Sequence, residues 1–251
     1  MIRKVRSESI LQGVWEKNMG ESKLQWHPGF VAAVNLELKE NRNDLLFEKE
    51  YNLNTKPLEI DLLVIKKTAG VKIQNEIGKI FRGHNILEYK SPKDHLDIDT
   101  FYKATAYASL YKSYGKTLDV IKADDVTVSL VREAKPEELF RYFAQHDFMV
   151  TREHKGIYYV EGKVLFPTQI IVTGELEKSE HIWLGALSEK LERQDMVALL
   201  EKVRALDGKA DMEYADSVLG ISIDANKRII EELKGDERMC QALMEIMEPE
   251  L

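Results

Sequence analysis

The apolar positions change period several times along the chain, and each change marks an element. Phe30, Val31, Val34 and Leu38 recur at helical spacing after Pro28, so a helix with one apolar stripe is expected over 30–39. Leu45, Phe47, Tyr51 and Leu53 alternate as a strand would, and Asn54 to Pro57 break it. Leu58 to Ile65 is a nearly continuous apolar run. A second short strand ends at Lys90, where Ser91-Pro92 closes it, because proline cannot continue a ladder. The spacing then predicts a helix capped by Asp97 or Asp99 and running to about Tyr114, with Phe101, Ala104, Thr105 and Ala108 as a face of mainly small residues. Asp125 to Val131 reads as a strand and Pro136 to His146 as a helix with Leu139, Phe140 and Phe143 inward. Phe148–Thr151 and Ile157–Val160 read as a hairpin around an Arg152–Gly156 turn, and Gln169–Thr173 adds one more strand.

From Ser179 the pattern turns helical. Ile182, Ala186, Leu187, Leu191, Met196, Leu199, Leu200, Val203 and Leu206 keep helical spacing over 181–206, and Gly208 ends the run. Two further helices are expected over Asn226–Leu233 and Glu237–Met247, where Met239, Met244 and Met247 suit adaptable core or a partner groove. Residues 1–24 are polar, with a short apolar pattern at Ile10, Leu11, Val14 and Trp15 that indicates no role. The expected organisation is an α/β domain over 1–178 and a helical C-terminal region over 179–251.

Length and composition narrow the classes. A chain of 251 residues can bury a substantial core. Its one cysteine, Cys240, cannot form an internal disulfide, and no apolar run follows Arg3, Lys4 and Arg6, so a reducing cytoplasm is the expected compartment and no membrane span is expected. A net charge of −7 argues against a protein that coats nucleic acid by bulk electrostatics. Lys66, Lys67, Lys72, Lys79 and Arg82 cluster between the two motif strands, as a solvated loop or as a phosphate-contacting one.

Candidate chemistry lies on those two strands. Alternation points Ile86, Glu88 and Lys90 one way and Leu87 and Tyr89 the other. Asp61 is the lone acid inside the other apolar run, where a buried carboxylate needs a partner. If the strands pair, Asp61, Glu88 and Lys90 meet. Two carboxylates suit a hard divalent cation that keeps several waters, and a lysine beside them can hold or activate water. Glu-x-Lys alone is weak in a chain with 31% charged residues, and Asp61 paired with Lys90 as a buried ion pair is the purely structural alternative. Glu37 falls seven residues after Phe30, on the apolar face of its helix or at its edge. Cys240 has no nearby histidine, no glycine-rich phosphate loop is present, and the six histidines lack metal-ligand spacing.

Pro57-Leu-Glu-Ile-Asp61 followed by Glu88-Tyr-Lys90 resembles the PD-(D/E)XK superfamily of metal-dependent phosphodiesterases, although three residues separate Pro57 from Asp61. The stretch from Trp26-His27-Pro28 to Phe101-Tyr-Lys103 also resembles the transposase-like, recombination-promoting nuclease branch and uncharacterised gut-Firmicute proteins. The resemblance implies a restriction-endonuclease-like core (helix, three strands, helix, strand), which is the order that periodicity predicts. It implies a DNA endonuclease dependent on Mg2+, with Mn2+ as a substitute, and a link to a mobile element or recombination. It further implies that Asp61, Glu88, the Tyr89 carbonyl and Glu37 serve the metal. Lys90 would act on the attacking water, and Lys103, from the next helix, would reach the site or remain a surface lysine. A double-strand cut would suit a homodimer, with the C-terminal helices as a candidate interface. The rival expectation is a catalytically silent protein of the same fold that binds a protein partner or nucleic acid.

Overall fold

The computed structural model describes residues 24, 26–53, 59–68 and 70–234. Its elements run α1 (Trp26–Glu37), β1 (Leu45–Asn52), β2 (Glu59–Lys66), β3 (His84–Lys90), α2 (Ile98–Ser113), β4 (Val126–Arg132), α3 (Glu137–Gln145), β5 (Phe148–His154), β6 (Ile157–Gly162) and β7 (Thr168–Val172). Then follow α4 (Ile182–Gly185), α5 (Arg193–Arg204), α6 (Lys209–Ala225) and α7 (Lys227–Lys234). The expected opening order of helix, three strands, helix and strand is the order observed.

The protein is α/β, with a seven-stranded mixed sheet in the order β1-β2-β3-β4-β7-β6-β5. β3, β4 and β7 are parallel, and the other neighbours are antiparallel. Parallel strands covered on both faces read as continuous apolar runs, and every residue from Val126 to Val131 is buried. Helices cover the two faces. Leu62, Val64, Leu87, Tyr89 and Val131 pack with α1 and the C-terminal helices, while Ile60, Leu63, Ile86, Val128 and Leu130 pack with α2 and α3. The residues after Ser179 contribute Trp183, Leu184, Met196, Leu199, Ala215 and Val218 to the first of these clusters. Asp97 caps α2 by accepting the Thr100 N–H at 2.8 Å.

Several sequence expectations are corrected. α1 carries more than one apolar stripe: Trp26, Phe30, Ala32, Ala33, Val34 and Leu36 are all buried, because the sheet lies on one side and α6 on the other. Gly29 permits that approach, since a Cβ there would stand 2.1 Å from Ile221 Cδ1. The long helix expected over 181–206 is split into α4 and α5. Glu192 and Asp195 form a reciprocal capping box at the start of α5. Asn226 fills the break, donating to the Ser188 carbonyl at 2.7 Å and accepting the Leu191 N–H at 3.1 Å. α6 was not expected at all. It buries Ala215, Val218, Leu219, Ile221, Ser222 and Ile223, a set too broad and too mixed in polarity to read as a stripe. The hairpin turn is tighter than Arg152–Gly156, with β5 reaching His154 and Gly156 at φ 75°.

Pro57, Leu58, the Ile10–Trp15 pattern, Cys240 and the helix expected over Glu237–Met247 with its three methionines lie outside the described residues. Among the described residues no helix is long and apolar enough to cross a membrane.

Candidate active site

The site forms where two strands part. The β2–β3 ladder runs from Ile65–His84 to Leu62–Leu87 and ends there. β3 continues through Glu88, Tyr89 and Lys90, paired on its other side with Leu130, Val131 and Arg132 of β4. One step beyond the last β2–β3 pair lie Asp61 and Glu88. On the far side of β2 the β1 ladder also passes over Asp61, opposite Glu50, which has φ 49°. Side-chain alternation slips at the same point, since Ile60 joins Leu63 on the α2 face while Leu62 and Val64 face α1. Asp61 therefore stands in the fork, and its Oδ2 accepts the Tyr89 N–H at 2.8 Å.

Glu88 and Lys90 point to the α2 side, as alternation requires. Lys90 Nζ donates to Glu88 Oε1 at 3.1 Å, with side-chain exposures of 19% and 4%. Glu88 Oε2 is buried and has no hydrogen-bond partner. Burial pushes the Asp61 carboxyl up, against the Tyr89 N–H, His27, Lys90 and Lys103. Burial also raises Glu88, the Asp61 charge adds to it, and Lys90 and Lys103 oppose both. Two buried carboxyls that repel each other, one with an unsatisfied oxygen, form a site that favours a bound cation.

Lys103 on α2 is exposed and lies in the field of both carboxylates. Burial lowers its pKa, but a Tyr107 hydrogen bond and the Glu88 and Asp61 charges outweigh that and leave it raised. Its ammonium also rests 5.2 Å from the Tyr107 ring centroid. The Tyr89 side chain turns away from the fork and stacks on Phe30 at 4.6 Å, so only its backbone faces the site. Burial, followed by the Glu133 and Asp94 charges, keeps its phenol protonated.

Glu37 is a correction. It lies ten residues after His27 on α1, about 15 Å along the axis, so it cannot share an ion with Asp61. Its carboxylate is occupied at the other end of the helix, where it accepts the Leu184 N–H at 3.2 Å and an Asn75 Nδ2–H at 3.1 Å. It also lies 3.2 Å from His181 Nδ1. The cluster of lysines and arginine between β2 and β3 is also remote from the site. Lys67 reaches the Asn43 carbonyl and Arg82 the Asp124 carbonyl, near the His84 end of β3 and about 20 Å from Lys90, while Lys79 lies against Glu76 and His154 of the edge strand β5.

Sequence reasoning missed His27. Its Nε2 lies 3.6 Å from Asp61 Oδ1, its side chain is half exposed, and its ring meets Tyr89 edge-on at 5.8 Å. His27, Pro28, Asp61, Phe47 and Tyr214 line an open groove of about 590 Å³ beside the fork. No local signal identifies His27, because the contact spans 34 positions.

Among the described residues no group of three or more His, Cys, Asp and Glu side chains is placed to hold a metal ion. Asp61 and Glu88 offer a pair, and a pair fits Mg2+, which commonly takes one or two carboxylates and keeps several waters. The fold and site together describe an α/β protein with a carboxylate and a lysine at the carboxyl end of a central strand and a second carboxylate on the neighbouring strand. Compared with family models, with curated proteins and with solved structures, the chain finds no match.

Proposed function

We propose that this chain is a Mg2+-dependent endonuclease of the PD-(D/E)XK type that hydrolyses DNA phosphodiesters. One observation carries the reading: Asp61, Glu88 and Lys90 converge where β2 and β3 part. The element order agrees with a restriction-endonuclease-like core, as does the position of the pair at the end of β3. Asp61 and Glu88, with the Tyr89 carbonyl, would hold Mg2+ or Mn2+, and the orphan Glu88 Oε2 gives that ion a ready ligand. A bound ion supplies Lewis-acid charge compensation at the scissile phosphate.

The chain's own residues do the rest. Lys90, an ammonium held 3.1 Å from Glu88, orients the attacking water and offsets charge on the phosphate oxygens, while the water's proton passes to solvent as its oxygen bonds to phosphorus. The bond from phosphorus to the leaving oxygen breaks and that oxygen takes a proton from solvent, giving a terminal phosphate and a free hydroxyl. Lys103, drawn toward the carboxylates, offsets charge on the phosphate oxygens. A second copy joined through the C-terminal helices would supply the other site for a double-strand cut.

Nicking of supercoiled plasmid with Mg2+, Mn2+ or EDTA, run beside Lys90→Ala, tests the reading. Metal-dependent nicking lost in the variant supports it. No nicking and no thermal shift with metal would favour the silent, partner-binding alternative, to which the Lys90–Glu88 pair as a purely structural contact would belong.

A further inference from the structure

Arg132 ends β4 in register with Lys90, one strand across the sheet from β3. Neighbouring strands stand about 4.8 Å apart, so the two cations rise side by side at the carboxyl ends of β3 and β4. They also share a face. Val128 and Leu130 pack on the α2 side and Val131 on the other, so alternation turns Arg132 toward α2 with Lys90. The next residue, Glu133, turns away and binds the Ser188 hydroxyl in the C-terminal region.

The Arg132 guanidinium is held in place but not neutralised. Its Nε–H donates to the Asp94 carbonyl at 3.0 Å and an Nη1–H to the Ala134 carbonyl at 3.4 Å. Both acceptors are uncharged, and the Asp94 carboxylate accepts the Ser91 hydroxyl instead, at 2.6 Å. Other cations at this end of the sheet do have carboxylates: Lys90 pairs with Glu88 at 3.1 Å, Lys93 with Glu189 at 3.0 Å and Lys135 with Glu137 at 3.6 Å. Among the described residues no carboxylate lies in ion-pair reach of Arg132, and its Nη2 meets no acceptor, while the side chain is partly open to solvent. A chain of net charge −7 has acids to spare. An arginine fixed by two backbone carbonyls and left without a counter-ion is therefore set for an anion from outside, and a planar guanidinium suits the oxygens of a phosphate.

We propose that Arg132 holds the phosphate next to the scissile one, so that the site takes a linkage inside a polynucleotide strand. The proposal deepens the nuclease reading and rests on it for the scissile phosphate's place at the fork. From there the strand crosses the carboxyl end of β3 to reach β4. Arg132 is a positioning residue: it sets the strand's register through a group common to every sequence and adds no base preference.

Fluorescence anisotropy with a fluorescein-labelled DNA duplex tests the contact. The full chain carries Lys90→Ala, and Ca2+ replaces Mg2+ so that the carboxylates are neutralised and nothing is cut. Adding Arg132→Gln, which can still donate to a backbone carbonyl but has no charge, should weaken binding about tenfold. It should also lower the slope of log affinity against log salt by about 0.9, the share of one phosphate. Arg132→Lys should restore most of that slope, whereas a side chain that only ties two loops together would leave the slope unmoved in any variant. In otherwise wild-type protein, Arg132→Gln should raise KM for plasmid nicking more than it lowers kcat. Binding and salt slope equal to the parent's, or an unchanged KM, overturns the contact, and the nuclease reading then stands if the wild type still nicks plasmid. Binding that depends on Arg132, with no nicking by the wild type, upholds the phosphate contact and removes the nuclease. No binding by the parent together with no nicking by the wild type overturns both.

Discussion

The Asp61 carboxylate accepts the Tyr89 N–H at 2.8 Å, in the place a β2 carbonyl would occupy if the two strands stayed paired. One side chain therefore both closes the ladder and opens the fork. The two roles separate by substitution. Asp61→Asn keeps an acceptor for Tyr89 and loses the charge, so it should fold with little loss of stability and fail to cut DNA. Asp61→Ala leaves a buried N–H unpaired and should lose about 1–3 kcal/mol as well as activity. Urea unfolding and plasmid nicking, run on both variants, check the pair; full activity in either variant would remove Asp61 from the site.

Mg2+ should raise the melting temperature of the wild type, with a shift that grows with ion concentration by mass action. Glu88→Gln should abolish most of that shift. A shift of equal size in Glu88→Gln would place the ion elsewhere.

Glu37→Gln should leave nicking unchanged, because its carboxylate serves Asn75, Leu184 and His181 and lies about 15 Å along α1 from the fork. It should still destabilise the fold by about 1–3 kcal/mol, the cost of breaking a buried hydrogen-bonded charge. Lost cleavage in a variant that remains fully folded would restore Glu37 to the site.

His181 gives the fold a pH dependence. Burial pulls its pKa down, but Glu37 and Glu76 on either side outweigh this and hold it above the ordinary histidine value. A raised folded pKa contributes stability that is full below the unfolded value, about 6.5. That stability is lost as pH rises through the folded value. Melting temperature should therefore fall as pH is raised above about 6.5, and His181→Gln should flatten that slope. A wild-type slope of the opposite sign would show that His181 is neutral when folded.

Gly29→Ala places a Cβ against Ile221 Cδ1, the tip of a side chain that can turn aside, and should lower stability by no more than about 1 kcal/mol. Adding Ile221→Val should recover part of the loss, which a double-mutant cycle reads directly.

Much of the fork was legible because strands repeat every two residues. The split of Ile86, Glu88 and Lys90 from Leu87 and Tyr89 follows from period alone, and Asp61 stood out as a single acid in an apolar run. The same pattern could not tell which end of α1 faces the site. Glu37 shares a stripe with Phe30 on paper, yet Phe30 packs beside Tyr89 while Glu37 lies two turns further on. α6 was hard to read for a different reason: its buried face mixes Ala215 and Ser222 with Val218 and Leu219, while Met212 lies on its exposed face, so polarity blurs the stripe. His27 and Asp61 meet only through the tertiary fold, a contact that no window along the chain contains.

The place of α1 in the core bears on how the protein is made. Trp26 to Glu37 leaves the ribosome well before one of its walls, α6, which ends at Ala225. When β7 is complete at Val172 the sheet has all its strands while the outer side of α1, around Gly29, still waits for Ile221. Vectorial synthesis thus leaves an apolar helix exposed over some fifty residues, about 3–10 s at ordinary elongation rates. During that interval the nascent chain is a natural client for a chaperone.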